Sequence, residues 1–145
     1  MNEEYTKRFD EWNNSCKDLD SSEFKGFFRG REIWWCALGV NIGSEQDGTS
    51  RSFERPVLVL RGIRKDLLLV IPFTTKISDH PHRIYSESTG TSSQLLLDQI
   101  RVVSSKRLLR KIGFIELSLF REVIIQVAQM MLDSAKIETP LNIPV

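Results

Sequence analysis

Between Ile33 and Val103 the chain alternates short apolar runs with turn residues, and no run there carries helical periodicity. Ile33-Trp-Trp-Cys-Ala-Leu38 is apolar on both alternations, which predicts a strand covered on both faces. Pro56-Val-Leu-Val-Leu60 and Leu67-Leu-Leu-Val-Ile-Pro-Phe73 predict two more strands. The Gly-containing turn Arg61-Gly-Ile-Arg-Lys-Asp66 joins them as a hairpin. Arg83–Tyr85, Gln94–Leu97 and Arg101–Val103 are shorter candidates. Close-set strands without intervening helices predict a small antiparallel barrel or sandwich, not a parallel sheet. At 145 residues the chain is expected to form one such domain, with enough buried surface to need neither disulfide nor metal.

Helical patterns flank this β region. Ser105 is a candidate cap for Lys106–Lys111, with Gly113 as its stop. Ser118 is a candidate cap for a last helix whose core face carries Phe120, Val123, Ile124, Val127, Ala128 and Met131, with Pro140 beyond its end. At the front, Tyr5, Phe9, Trp12, Cys16 and Leu19 form a narrow apolar stripe on a charged helix. Residues 1–24 are read as an acidic helical extension of net charge −4, and residues 25–145 as the domain proper, of net charge +5. The stripe is expected to dock on the domain's own surface. The charge split fits either a polyanionic partner or a mixed solvated surface. No stretch reaches the ~20 apolar residues of a membrane span, and the first residues lack the basic flank of a secretory signal, so a cytosolic protein is expected. Cys16 and Cys36 read as small buried hydrophobes, and with His80 and His82 they have the wrong spacing for zinc. His80 and His82 themselves read as exposed loop residues.

The longest stretch without periodicity, Gly39 to Glu54, joins the first two strands, and loops of that length are often functional. Arg55 follows it at the mouth of a buried strand. A guanidinium anchored there is placed either to hold a phosphate bidentately or to tie the loop down through Glu45 or Glu54.

The runs Arg31-Glu-Ile-Trp-Trp35, Gly43-Ser-Glu-Gln46, Arg55-Pro-Val-Leu-Val59, Pro72-Phe-Thr-Thr75 and Leu96-Leu-Asp-Gln-Ile-Arg101 resemble, in order, the sequence blocks of the MazF/PemK family of toxin endoribonucleases. The resemblance covers about residues 29–132. It implies a mainly β fold with α: a small SH3-like, CcdB-related antiparallel barrel with a C-terminal helix, here with an extra N-terminal helix. It also implies a homodimer, a cognate antitoxin, and cleavage of single-stranded RNA, typically mRNA, without metal or other cofactor. Arg55 and Thr74 fall on the family's catalytic arginine and threonine, Gln99 on a glutamine lining the RNA site, and Glu45 on a supporting loop glutamate. Arg51, Arg61, Arg64, Lys65 and Lys76 are candidate phosphate contacts. Phe53 and Tyr85 are candidates either for stacking on bases or for packing.

Two departures stand out: the extra Thr-Ser-Arg-Ser-Phe-Glu in the loop, and the N-terminal extension. The extension is expected to pack far from the catalytic loop; the other reading lays it over that loop in cis, as an antitoxin would lie. Beside the nuclease stand a CcdB-like toxin that binds a topoisomerase and a catalytically silent interaction domain.

Overall fold

The structure is a computed structural model that describes residues 5–50 and 52–135; Pro140 lies outside them. It begins with helix α1 (Phe9–Ser21). Strands β1 (Glu32–Ala37), β2 (Glu54–Arg64), β3 (Leu67–Thr74), β4 (Arg83–Ser86), β5 (Ser93–Leu96), β6 (Arg101–Ser104) and β7 (Leu108–Phe114) follow, and helix α2 (Leu117–Ala135) closes the described chain. The strands form one antiparallel sheet in the order β4-β5-β3-β2-β1-β7, with β6 beside the first half of β3. No helix is long and apolar enough to cross a membrane, among the described residues.

The central strands are buried on both faces, as their unbroken apolar runs predict. One face gathers Ile33, Leu58, Ile71, Phe73 and Leu95 beneath α2. The other gathers Trp34, Cys36, Val57, Val59, Leu68 and Val70, capped by Phe24 and Phe28. Along α2, Val123 is buried and Phe120, Ile124 and Val127 pack on the first cluster. Met131, expected on that face, is 54% exposed. The helix opens at Leu117, one residue ahead of the expected Ser118.

The helix expected at Lys106–Lys111 does not form. Ser105–Arg107 is a single 3-10 turn, capped by Ser104, whose Oγ accepts the Lys106 N–H at 3.2 Å. Leu108–Phe114 is a strand, and Gly113 pairs with Ile33 within its ladder instead of ending a helix. The reason is tertiary. A six-residue helix is marginal by itself, whereas the outer edge of β1 carries main-chain donors and acceptors that β7 satisfies. The β2–β3 hairpin is also tighter than expected, since β2 runs on to Arg64 and only Lys65 and Asp66 turn.

The extension does dock on the domain, but over the β1–β2 connection and not away from it. Trp12 is buried on Gly39 and Phe53, its ring centroid 5.4 Å from that of Phe53. Arg107 stacks over the Trp12 ring at 5.6 Å, and Lys106 Nζ donates to Asp20 O at 2.6 Å. Cys16 and Leu19 pack beside Trp12, while Tyr5 and Phe9, the first residues of the stripe, remain exposed.

Both cysteines are free thiols. Burial pushes the Cys36 thiol up to about 12, against the pull of Arg107 and Arg101. The thiolate is the reactive form. Cys36 is therefore expected to resist a disulfide reagent at pH 8 until the protein unfolds, with half-buried Cys16 reacting first. Two equally fast native thiols in a time-resolved titration would contradict this placement.

Candidate active site

Side chains close the β1–β2 connection on itself. Asp47 Oδ1 accepts the Asn41 N–H at 2.7 Å, and Asn41 Nδ2 donates to Leu38 O and Gln46 O. Glu45 Oε1 accepts the Ile42 N–H at 2.9 Å. Gly48 donates to Gly39 O at 2.8 Å, and a Cβ on Gly48 would lie 1.6 Å from Phe53 O, so only glycine fits. Gln99, from the turn after β5, clamps the outside of the loop. Its Oε1 accepts the Gln46 N–H at 3.0 Å and its Nε2 donates to Ser44 O at 3.1 Å. Its amide therefore serves the loop.

Arg55 stands at the base of this loop, paired with Cys36 across the β1–β2 ladder. Its Nε donates to Asp47 O at 2.8 Å and its Nη1 to Phe73 O at 3.2 Å. It is thus tied to the loop and to β3 through main-chain carbonyls, not through Glu45 or Glu54. Glu54 is held instead by Arg110, with both oxygens bonded at 2.9 and 3.0 Å. Burial lowers the Arg55 pKa, while Asp47 and Tyr5 raise it. A guanidinium starts so far above neutrality that it stays a cation. Two of its five N–H donors are committed to these carbonyls.

Thr74 ends β3 opposite Gln94 of β5 and is only 8% exposed. Its Oγ1 accepts the Lys76 N–H at 3.2 Å, which leaves the hydroxyl proton to donate elsewhere. Gln94 braces the chain just beyond. It exchanges hydrogen bonds with the Ser78 main chain at 3.0 and 2.9 Å and accepts from Arg83 at 3.1 Å. Arg55 and Thr74 line one cleft of about 320 Å³, together with Trp35, Phe73, Thr49, Thr89 and Ser93. Arg55 also lines a second cleft of about 360 Å³ beneath the N-terminal segment, shared with Tyr5, Lys7 and Asp47. A fixed cation and a hydroxyl donor on one cleft suit an oxyanion such as phosphate.

The other expected site residues divide. Lys76 is exposed, two residues after Thr74. Tyr85 is exposed on β4, two strands from Thr74, on the order of 10 Å. Its hydroxyl bonds Glu87 and Ser92. Arg61 and Arg64 are exposed farther along β2, on the order of 20 and 30 Å from Arg55 at strand rise, with Lys65 in the turn beyond. They do not share the cleft. Phe53 is 3% exposed under Trp12 and Arg8, so it is packing and not a stacking platform. Arg51 lies outside the described residues. Glu45 is exposed, and His80 and His82 sit on the β3–β4 connection with ring centroids 5.6 Å apart. The structure adds Asp47 and Gln94 to the site, neither of which the sequence singled out, and the N-terminal contacts, which follow the second of the two readings of the extension. An Asp before Gly in a long Gly-bearing loop was the one available signal for Asp47.

The sequence model of the family described as PemK-like, MazF-like toxin of type II toxin-antitoxin system matches residues 29–131. No curated protein matches the chain significantly. Among solved structures it is similar to MazF from Deinococcus radiodurans, at 20% identity and a TM-score of 0.63 over 74% of this chain and 98% of that one. It is also similar to the Mycobacterium tuberculosis toxin MazF-mt6, at 18% identity and a TM-score of 0.51 over 75% of this chain and 100% of that one. A third is an endoribonuclease in complex with its cognate antitoxin from a mycobacterial species, at 11% identity and a TM-score of 0.52 over 79% of this chain and 100% of that one. These likenesses establish the shared fold.

Proposed function

The chain belongs to the PemK-like, MazF-like toxins of type II toxin-antitoxin systems, and from that premise we propose that it is a sequence-specific endoribonuclease that cuts single-stranded RNA without a metal. The observation that carries this reading is the meeting of Arg55 and Thr74 on one cleft. RNA brings its own nucleophile, the 2′-OH. Holding that oxygen in line with the phosphorus is worth roughly 7–11 kcal/mol. The oxygen attacks the phosphorus, the bond to the 5′-oxygen breaks, and the products are a 2′,3′-cyclic phosphate and a 5′-hydroxyl. Arg55 stabilises the charge that builds on the phosphoryl oxygens, as a cation already oriented before the substrate arrives. Thr74 donates a hydrogen bond to the same group. Glu45 is the accessible carboxylate of the loop; Glu54 is committed to Arg110. Tyr5 stays a protonated phenol near neutrality, because partial desolvation and the hydrogen bond to Asp47 hold it above the ordinary range.

Lys76 and Tyr85 extend the binding surface along the β3–β5 side, and Gln99 acts by fixing the loop. A cognate antitoxin is the expected protein partner, as in the mycobacterial complex, and a homodimer the expected assembly. Incubation of long single-stranded RNA with the protein in EDTA tests the activity. Discrete fragments with cyclic phosphate and 5′-hydroxyl ends are expected. Intact RNA in the presence of folded protein would exclude the nuclease and favour a toxin that acts by binding.

A further inference from the structure

Residues 5–21 precede the segment that the family shares, yet they reach the middle of the candidate site. Tyr5 Oη donates to Asp47 Oδ2 at 3.0 Å, and Lys7 Nζ lies 3.4 Å from the same oxygen. Lys7 also donates to Asn41 O at 2.6 Å and Gly43 O at 3.0 Å. Arg8 Nη2 donates to Ser50 O at 2.8 Å, and Trp12 anchors the helix on Gly39. The contacts come from the cations and the phenol of an otherwise acidic segment. They fasten the loop, while the hydrogen bonds of Arg55 run to the main-chain oxygens of Asp47 and Phe73.

Asp47 is where this fastening meets the chemistry. It is 9% exposed, with one carboxylate oxygen on the Asn41 N–H and the other on Tyr5 and Lys7. Its main-chain oxygen accepts the Arg55 Nε–H. The second acceptor of Arg55, Phe73 O, belongs to a central strand and is fixed by the sheet. The Asp47 carbonyl belongs to a loop, and its place depends on what holds that loop. Long loops are otherwise conformationally multiple.

We propose that Asp47 is the positioning residue for Arg55, and that Tyr5 and Lys7 complete it, so that the N-terminal segment serves the site and does not occlude it. This rests on the endoribonuclease reading, in which Arg55 is the catalytic cation. The full-length protein is compared with Tyr5→Phe/Lys7→Met and with Asp47→Asn, in single-turnover cleavage of saturating single-stranded RNA and by the exchange rate of the Arg55 Nε–H in ¹⁵N NMR. Both variants are expected to cleave about tenfold or more slowly, since small displacements of a reacting group are costly. RNA affinity should stay nearly constant and the Nε–H should exchange faster.

Unchanged cleavage with unchanged exchange overturns the proposal. So does faster cleavage, which would make the segment a cover. Weaker RNA binding at an unchanged saturated rate overturns it as well, by making Lys7 a phosphate contact. If the wild type cuts no RNA, the nuclease reading fails separately, and the Nε–H comparison alone decides whether the segment holds Arg55. Tyr5→Phe alone, which removes one hydroxyl from an exposed ring, carries the same comparison if the double variant melts early.

Discussion

Arg55→Ala is expected to remove RNA cleavage almost completely, with a fall of about 10²–10³ in the single-turnover rate, the usual loss when one preorganised donor to a developing oxyanion is deleted. The variant should still fold. Asp47 O and Phe73 O each lose a donor, but Arg55 is only half-buried, so water can replace it. The cost is about 1 kcal/mol per hydrogen bond. Arg55→Lys is the informative companion. It keeps the charge but not the planar fork that binds two carbonyls while presenting further donors, so its rate should fall between the two. Alanine activity within a few-fold of wild type, in protein of normal melting temperature, would remove Arg55 from the chemistry.

Gly39→Ala is expected to destabilise the protein by about 4 kcal/mol or more and to release α1. Gly39 has φ +80, and a Cβ there would sit 2.0 Å from the Trp12 ring. The left-handed backbone alone costs roughly 1–2 kcal/mol in any L-residue. Expulsion of a buried indole approaches the ~3–5 kcal/mol of a Trp→Ala change. Equilibrium denaturation of Gly39→Ala, Trp12→Ala and the double variant separates these contributions. Both single changes abolish the same contact, so the double should cost much less than their sum. Full additivity, or a near-neutral Gly39→Ala, would show that the Trp12 seat contributes little to stability.

The strands that build the site were legible because burial wrote them directly. Ile33–Leu38, Pro56–Leu60 and Leu67–Phe73 are apolar on both alternations, and all three lie between two core layers. Arg55 and Thr74 were singled out because they stand at strand ends next to sequence blocks with a recognisable order, and the fold brings both to one cleft. Lys106–Lys111 misled because arginine, lysine and leucine are good helix formers and the segment has no strict alternation. What decides its state is the unpaired edge of β1, which lies far away in sequence. Phe53 left two readings open, and its burial depends on Trp12, from a segment whose docking site no local pattern reveals. The placement of the extension failed for a related reason. Its acidic charge drew attention, whereas its contacts are made by Tyr5, Lys7, Arg8 and Trp12.

The neighbours of β1 have a consequence for synthesis. It pairs with β2, made shortly after it, and with β7, among the last strands made. Arg31 Nε is likewise bonded to Ile115 O, 84 residues away. Contacts so distant along the chain make for folding in milliseconds to seconds rather than microseconds, and a ribosome adds only roughly 5–20 residues per second. A nascent chain therefore carries Arg55 and Thr74 well before it carries Gln99 to clamp the loop or β7 to close the edge. For a protein whose proposed substrate is messenger RNA, that order delays assembly of the site until the codons for Gln99 and β7 have been read.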